Sequence, residues 1–388
     1  MMKICVVTGS RAEFFILRNL ILKIQKEKKI KSSLIVTGAH NLDLFGKTID
    51  DIKKDKIIIK SIINLNIKSD KPNDIAKYLS FGIQKFSAQF LKDRPQLLLV
   101  LGDRYEIYSA VVAAYINRIP VAHIYGGEIT QGSFDEGIRH SISKFSNIHF
   151  VSAEKYLNRL KQLGENKRFI FNVGSMGVEA IKSYKILKKQ DVEKLLNIEF
   201  NKKNILVTFH PETSKSKEIN RNNLNIFLNS LGKLRDTSII ITMPGADPYY
   251  KMILSAIKKF SSKNKNVFFF KSLGHNYYFS LCRIVDFMIG NSSSGIIEMP
   301  SFKKGTINIG ARQLGRIQAS SVLNVNFNEY DILKAVKKIY SKKFISSLKT
   351  VKNPYEKNNS SENILKILKN IKLEKISNKF FFDCKCYE

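Results

Sequence analysis

LLLVLGDRYEIYSAVVAAYINRIPVAHIYGGE, residues 97–128, is the stretch that decides the fold. Leu97–Leu101 is an unbroken apolar run, the pattern of a strand covered on both faces. Tyr105–Asn117 follows with helical spacing, and Val121–Tyr125 is a second apolar run. Strand, helix, strand in so short a span is a βαβ unit, whose two strands lie parallel with a right-handed crossover.

The same alternation extends outward in both directions. Ile4–Thr8, Ser33–Thr37 and His149–Val151 read as further strands of the first half. Asn204–Phe209, Ser238–Thr242, Val267–Phe270, Val285–Ile289 and Gly305–Ile309 read as strands of the second. Phe14–Lys28, Asn73–Lys92 and Asn222–Leu234 have helical spacing between them. The chain is therefore expected to be α/β and doubly wound. The alternation pauses over Ser183–Lys203, which is polar and Lys-rich, and restarts at Asn204. With 388 residues, two domains are expected: residues 1–185 and residues 186–360. Apolar residues at Ile364, Leu365, Ile367, Leu368 and Ile371 predict an amphipathic helix over 361–372.

Composition narrows the function classes. The net charge is +32, but it is mostly Lys and is spread over the whole chain, with no zinc-finger spacing and no RNA-binding signature. It reads as a solvated Lys-rich surface whose field attracts an anionic ligand, not as a nucleic-acid interface. Cys5 and Cys282 sit in apolar stretches and are expected to be buried thiols, whereas Cys384 and Cys386 form a C-x-C without further metal ligands nearby. This usage fits a reducing compartment. No signal-type segment and no bilayer-length apolar run is present, so a cytoplasmic protein without a membrane partner is expected.

Ligands of open α/β sheets bind beyond the carboxyl ends of the strands, so the residues that follow each strand carry the functional reading. Thr8-Gly9-Ser10-Arg11-Ala12-Glu13 opens a helix, where Arg11 and free N–H groups suit a phosphate. It is not a G-x-G-x-x-G fingerprint. Gly102-Asp103-Arg104 sets an acid directly after a strand, as a helix cap or as a proton-handling group. Gly126-Gly127-Glu128 adds a second carboxylate, and Phe134-Asp135-Glu136 a third at the head of a helix that continues through Arg139 and His140. Asp135 is a candidate cap that leaves Glu136 free; Arg139 and His140 are either partners of these acids or helix surface. Three carboxylates at one end of one sheet can have the divergent pKa values that acid–base work requires.

In the second half, Pro211 ends a strand and places His210 at its carboxyl end. Gly290-Asn291-Ser292-Ser293-Ser294-Gly295 opens a helix and resembles a diphosphate cradle built from hydroxyls and backbone N–H groups. Glu298 lies one turn on, in reach of ribose hydroxyls. Asn308–Arg316 adds Arg312 and Arg316 in a glycine-flanked loop.

Together these stretches resemble the UDP-N-acetylglucosamine 2-epimerases, and within them the hydrolysing branch that feeds sialic-acid synthesis. The resemblance runs through VTGSRAE, LGDRYE, HIYGGEITQGSFDEGIRHSISK, FHPET, IGNSSSGIIEMPS, INIGARQLGR and NPYEK, nearly the full chain. It implies a GT-B arrangement: two Rossmann-like domains with an inter-domain cleft, the nucleotide held mainly by the second, and a C-terminal helix packed back on the first. Asp103, Glu128, Glu136 and His210 match the family's catalytic positions. Arg11, Ser292, Ser293, Glu298 and Arg312 match its UDP contacts, and Ser294 and Gly295 complete the cradle. One departure is Gly245, where the family usually carries an Asn that touches ligand.

The implied reaction eliminates UDP across C1–C2 to a glycal, then hydrates it with inversion at C2. The substrate expected first is UDP-N-acetylglucosamine, giving UDP and N-acetylmannosamine. UDP-N,N'-diacetylbacillosamine of a legionaminic-type pathway is the alternative that Gly245 raises. A non-hydrolysing epimerase and a GT-B glycosyltransferase are further alternatives, and a nucleic-acid binder is one of another class. The resemblance implies no metal, no redox cofactor and a homo-oligomer.

Overall fold

The computed structural model describes residues 1–41, 48–65, 71–245, 247–376 and 378–383. Cys384 and Cys386 lie outside the described residues. The chain divides into two compact units. The first is Met1–Glu128, Asp135–Ala180 and Lys357–Glu388; the second is Ile129–Phe134 with Ile181–Glu356.

The first unit holds seven strands: β1 (Met2–Thr8), β2 (Ile30–Thr37), β3 (Ile59–Ile63), β4 (Leu97–Leu101), β5 (Val121–Ile124), β6 (Ile148–Val151) and β7 (Ile170–Asn172). They form one sheet in the order β3-β2-β1-β4-β5-β6-β7, every pair parallel. The period of two in a strand explains the unbroken apolar runs. Ile4, Val6, Leu97, Leu99 and Leu101 pack on one face with Leu17, Leu20 and Ile24 of the helix Arg11–Lys26. Cys5, Val7, Leu98 and Val100 pack on the other with Phe86, Phe90, Ile107 and Val111. The helix Ser360–Asn370 adds Ile364, Leu365 and Leu368 to the first face. The Ser361 N–H donates to Glu179 Oε2 at 2.8 Å, and Lys369 Nζ lies 2.7 Å from Glu27 Oε2.

The second unit holds β8 (Lys203–Thr208), β9 (Thr237–Thr242), β10 (Val267–Phe270), β11 (Phe287–Gly290), β12 (Gly305–Ile309) and β13 (Val322–Val325). Their order is β10-β9-β8-β11-β12-β13, again all parallel. Ile205, Val207, Ile239, Ile241, Ile289, Ile307 and Ile309 form its core with Leu224, Phe227 and Leu231 of the helix Lys217–Gly232. The two doubly wound sheets are the α/β architecture expected from the sequence.

Some boundaries move. Val285 ends the helix Gly274–Ile284 instead of starting β11, and Asp286 accepts hydrogen bonds from the Asn204 N–H at 2.8 Å and the Tyr340 hydroxyl at 2.9 Å. Three strands that the apolar pattern did not reveal, β3, β7 and β13, all lie at sheet edges. An edge strand is half-covered, so its side chains need not be apolar. Cys5 and Cys282 are buried free thiols as expected, and burial pushes the Cys5 thiol up to about 12. Among the described residues no helix is long and apolar enough to cross a membrane.

Candidate active site

Each sheet reverses its winding direction once, between β1 and β4 in the first unit and between β8 and β11 in the second. At such a switch point the helices that follow neighbouring strands leave to opposite faces, and a crevice opens beyond the carboxyl ends. The sequence-selected residues fall at these ends.

In the first unit, Asp103 follows β4, Glu128 follows β5, and Glu136 is the second residue of the helix Asp135–Phe145. Arg139, one turn further along that helix and 2 % exposed, draws them together. Its guanidinium donates to Asp103 Oδ2, to Glu136 Oε2 at 3.1 Å, and to the Glu128 carbonyl at 3.0 Å. His140 Nε2 lies 3.2 Å from Glu136 Oε1. Arg139 and His140 are thus partners of the acids, and Glu136 is engaged, with Asp135 as the first helical residue. Glu128 is buried and accepts the Ser152 hydroxyl at 2.6 Å. A buried guanidinium is tolerable only with such charge-assisted partners, so the three side chains hold one another in place.

Beneath them sits His123 of β5. Burial lowers its pKa to about 3, so the ring is neutral. Its Nε2–H donates to the Gly102 carbonyl at 2.8 Å, which leaves Nδ1 to accept the Ser143 hydroxyl at 3.1 Å. This fixes the turn before Asp103. Gly126 must lack a side chain, because a Cβ there would lie 2.9 Å from His123 Nδ1 and 2.8 Å from Ser143 Oγ. Arg11, the first residue of its helix, is half-exposed and has no ion pair among the described residues.

In the second unit the groups are mostly neutral. Asn291, directly after β11, bridges the backbone of His210, the second residue after β8. Its Oδ1 accepts the His210 N–H at 2.7 Å and its Nδ2 donates to the His210 carbonyl at 2.8 Å. Gly290 has φ +144°, and a Cβ on it would stand 2.1 Å from the Thr208 carbonyl oxygen, so only glycine allows this approach. His210 Nδ1 lies 3.3 Å from Asp247 Oδ2, and Arg312 Nη2 lies 3.4 Å from the same oxygen. Burial and the Arg312 charge lower the pKa of His210. Arg312 Nε is buried without a hydrogen-bond partner among the described residues.

The serine loop differs from its expectation in one respect. The helix it opens is a single turn, Ser294–Ile297, followed by a 3₁₀ turn at Met299–Phe302. So short a helix has little dipole, and a cradle here would rest on hydroxyls and local N–H groups. Ser292 and Ser293 are half-exposed, whereas Ser294 is tied to the Tyr278 hydroxyl at 2.5 Å. Gly295 faces β12: a Cβ on it would lie 2.6 Å from Thr306 Cγ2. Enclosure raises the pKa of Glu298, partly offset by its bond to Ser294 and by the Arg316 charge.

Comparison with known proteins decides between the families such a site could serve. The family model described as UDP-N-acetylglucosamine 2-epimerase matches residues 22–369. The chain belongs to this epimerase family. It is 40 % identical over 98 % of its length, and 99 % of the relative's, to the hydrolysing GDP/UDP-N,N'-diacetylbacillosamine 2-epimerase of Campylobacter jejuni. It is 36 % identical to polysialic acid biosynthesis protein P7 of Escherichia coli, covering 99 % of this chain and 98 % of that one. The crystal structure of the UDP-GlcNAc 2-epimerase of Neisseria meningitidis bound to UDP-GlcNAc superposes with a TM-score of 0.80 at 23 % identity, covering 95 % of this chain and 99 % of that one. At that identity the match bears on the fold, and it makes the two doubly wound units a GT-B-type pair.

Several supporting groups of this epimerase-family enzyme escaped the sequence reading. His123 is a strand residue among apolar neighbours, indistinguishable in sequence from a core position. Asn291 is quoted in the serine loop, but nothing local marks its bond to His210, 81 residues away. Glu212, after His210, accepts the Ala311 N–H at 2.6 Å and so ties the Arg312 loop to the end of β8.

Proposed function

We propose that the protein is a hydrolysing 2-epimerase of a UDP-linked 2-acetamido sugar, and that the sugar is UDP-N,N'-diacetylbacillosamine. The observation that carries this reading is the 40 % identity, end to end, to a hydrolysing epimerase of that substrate. Gly245 supports it: a Cβ there would meet nothing closer than His210 Cε1 at 3.7 Å, so the missing side chain leaves room beside His210 for a larger 4-substituent. UDP-N-acetylglucosamine is the second reading, favoured by the 36 % identity to the E. coli polysialic acid protein.

The chemistry follows from the residue types. A carboxylate takes the C2 proton as the C1–O bond to UDP breaks, and the electron pair forms the C1=C2 double bond of a glycal. Water then adds its oxygen to C1 while C2 is protonated on the opposite face, which releases the free epimerised sugar. Asp103 and Glu128 handle the protons, with Glu136 and His210 assisting. Asp103 is suited to the base role because Arg139 fixes its orientation while its side chain retains 23 % exposure to a substrate. Arg11, Arg312, Ser292 and Ser293 hold the diphosphate, whose charge grows as it leaves. Glu298 holds the ribose. Soluble turnover in the cytoplasm by a homo-oligomer completes the reading.

Proton NMR of parallel reactions with the two nucleotide sugars tests it. Free UDP with the free epimerised diacetamido sugar, carrying deuterium at C2 when run in D₂O, is the expected result. Turnover of UDP-N-acetylglucosamine alone would replace the first substrate by the second. Release of a UDP-linked epimer would remove the hydrolysing step.

A further inference from the structure

Two acidic side chains in the first unit have no part in that scheme. Glu13 lies in the first turn of the helix Arg11–Lys26, and Glu106 in the first turn of the helix Tyr105–Ile116. They follow β1 and β4, the two neighbours at the switch point. Both are buried, at 5 % and 1 % exposure.

Gly9 brings them to one place. Its N–H donates to Glu13 Oε2 at 2.7 Å, and a Cβ on it would stand 2.5 Å from Glu106 Cγ and 2.8 Å from Glu106 Oε1. Gly38, at φ +61°, closes the enclosure: a Cβ there would lie 2.9 Å from Glu106 Oε1. Glu106 Oε1 accepts Arg104 Nε at 2.7 Å. Each carboxyl then has one buried oxygen left, Glu13 Oε1 and Glu106 Oε2, with no hydrogen-bond partner among the described residues. Two buried carboxylates of one enclosure cannot both ionise cheaply, and an unsatisfied buried oxygen is costly in itself.

A single proton removes both penalties. We infer that Glu13 and Glu106 share one proton at neutral pH, resident on Glu13, and that the pair positions the two turns carrying Arg11 and Asp103. A proton on Glu13 turns one of the two buried acceptors into a donor and removes the like charge beside Glu106. The proton sits on Glu13 because Glu106 is bonded to the Arg104 guanidinium, whereas Glu13 receives only a neutral N–H from Gly9. Burial, then the Glu106 charge, raise Glu13 to about 8 against the pull of Arg104, and Asp103 adds to the rise. After the end of β2, His40 stands 3.1 Å from Thr8 Oγ1, and burial keeps it neutral with a pKa of about 4. Arg104 is therefore the cation that balances the pair. Both turns depend on it: Gly9 is held by Glu13 directly, and the Arg104 backbone follows Asp103.

The inference rests on the proposed roles of Arg11 and Asp103, but its physical core can be tested apart from them. Infrared spectroscopy of the full chain, with glutamate side chains carrying ¹³C, should show a neutral carboxylic-acid band at pH 7 that disappears as pH passes about 8 and is missing in Glu13→Gln. Absence of such a band in the unsubstituted protein overturns the proposal, whatever the substrate. Kinetically, a glutamine at 13 reproduces the protonated form, with Oε1 for Gly9 and Nε2–H for Glu106. Glu13→Gln should keep kcat within about threefold and lose the alkaline fall, while Glu13→Ala and Glu106→Gln each lose about tenfold or more. Equal losses in Glu13→Gln and Glu13→Ala, or tolerance of Glu106→Gln with loss in Glu13→Gln, would place the proton elsewhere and overturn it. If neither nucleotide sugar is turned over, the infrared band still decides the pair.

Discussion

In the first sheet the turns after β1 and β4 meet around two buried carboxyls, Glu13 and Glu106, and an arginine. In the second sheet the turns after β8 and β11 are joined by one neutral side chain, Asn291, which satisfies both backbone groups of His210. The topology at the two places is the same. The first unit surrounds its switch point with ionisable groups, adding Asp103, Glu128, Glu136 and Arg139 a strand or two away. The second surrounds its own mainly with amides, hydroxyls and glycines, and its fewer ionisable groups are His210, Asp247, Glu212, Glu298 and Arg312. Proton transfer needs groups whose charge changes; holding a nucleotide diphosphate needs donors that stay as they are across the working pH range. On the proposed roles one fold hosts both tasks, with the changes confined to the loops at the carboxyl ends of its strands.

The sharpest test of the division is Asp103→Asn, which keeps the shape and removes the base. It should lower kcat by about 10²- to 10⁴-fold with little change in UDP affinity. Near-full turnover would break the assignment of chemistry to the first unit. Next, Asn291→Ala should unpair the His210 N–H and carbonyl, at about 1–3 kcal/mol for each buried group, measured by urea unfolding. Because an amide does not titrate, that loss should be the same on either side of neutral pH; a pH-dependent loss would blur the contrast.

Arg312→Gln should weaken UDP binding by about tenfold, seen by calorimetry, while leaving the C2–H exchange of bound substrate mostly intact. Glu13→Gln sharpens the other side through thermal unfolding. The folded-state pKa of Glu13 is raised from 4.5 to about 8, so its stabilising contribution is full below 4.5 and is lost as pH rises through 8. The glutamine variant has no such loss. Its melting temperature relative to the unsubstituted protein should therefore climb between these two pH values and then level off. The smallest effect is expected from Gly245→Asn, which should shift the ratio of the two nucleotide sugars by a few-fold toward UDP-N-acetylglucosamine, read by competition in one tube.

How much could be read in advance depended on where a residue sits. Central strands such as β1, β4 and β8 are covered on both faces, so their apolar runs are unmistakable. The edge strands β3, β7 and β13 have no such requirement, and Ile62 of β3, at 50 % exposure, looks like a Lys/Ile-rich surface because that is what it is. The acids and the histidine proposed for the chemistry were legible because polar side chains directly after buried strands have few structural reasons to be there. Their partners were not. Arg139 is 36 residues from Asp103, and Asn291 is 81 from His210.

The α/β class, the pair of doubly wound halves, the family and the set of polar groups at the strand ends were all written in the sequence. Those follow from periodicity and local chemistry, which neighbouring residues carry. The folded chain alone established where each sheet reverses, that Arg139 joins the Asp103 and Glu136 carboxylates, that Asn291 bridges the backbone of His210 while Asp247 meets its ring, and that Glu13 and Glu106 both lie against Gly9. Each of these depends on strand order, which brings together residues tens of positions apart, and no local pattern encodes that order.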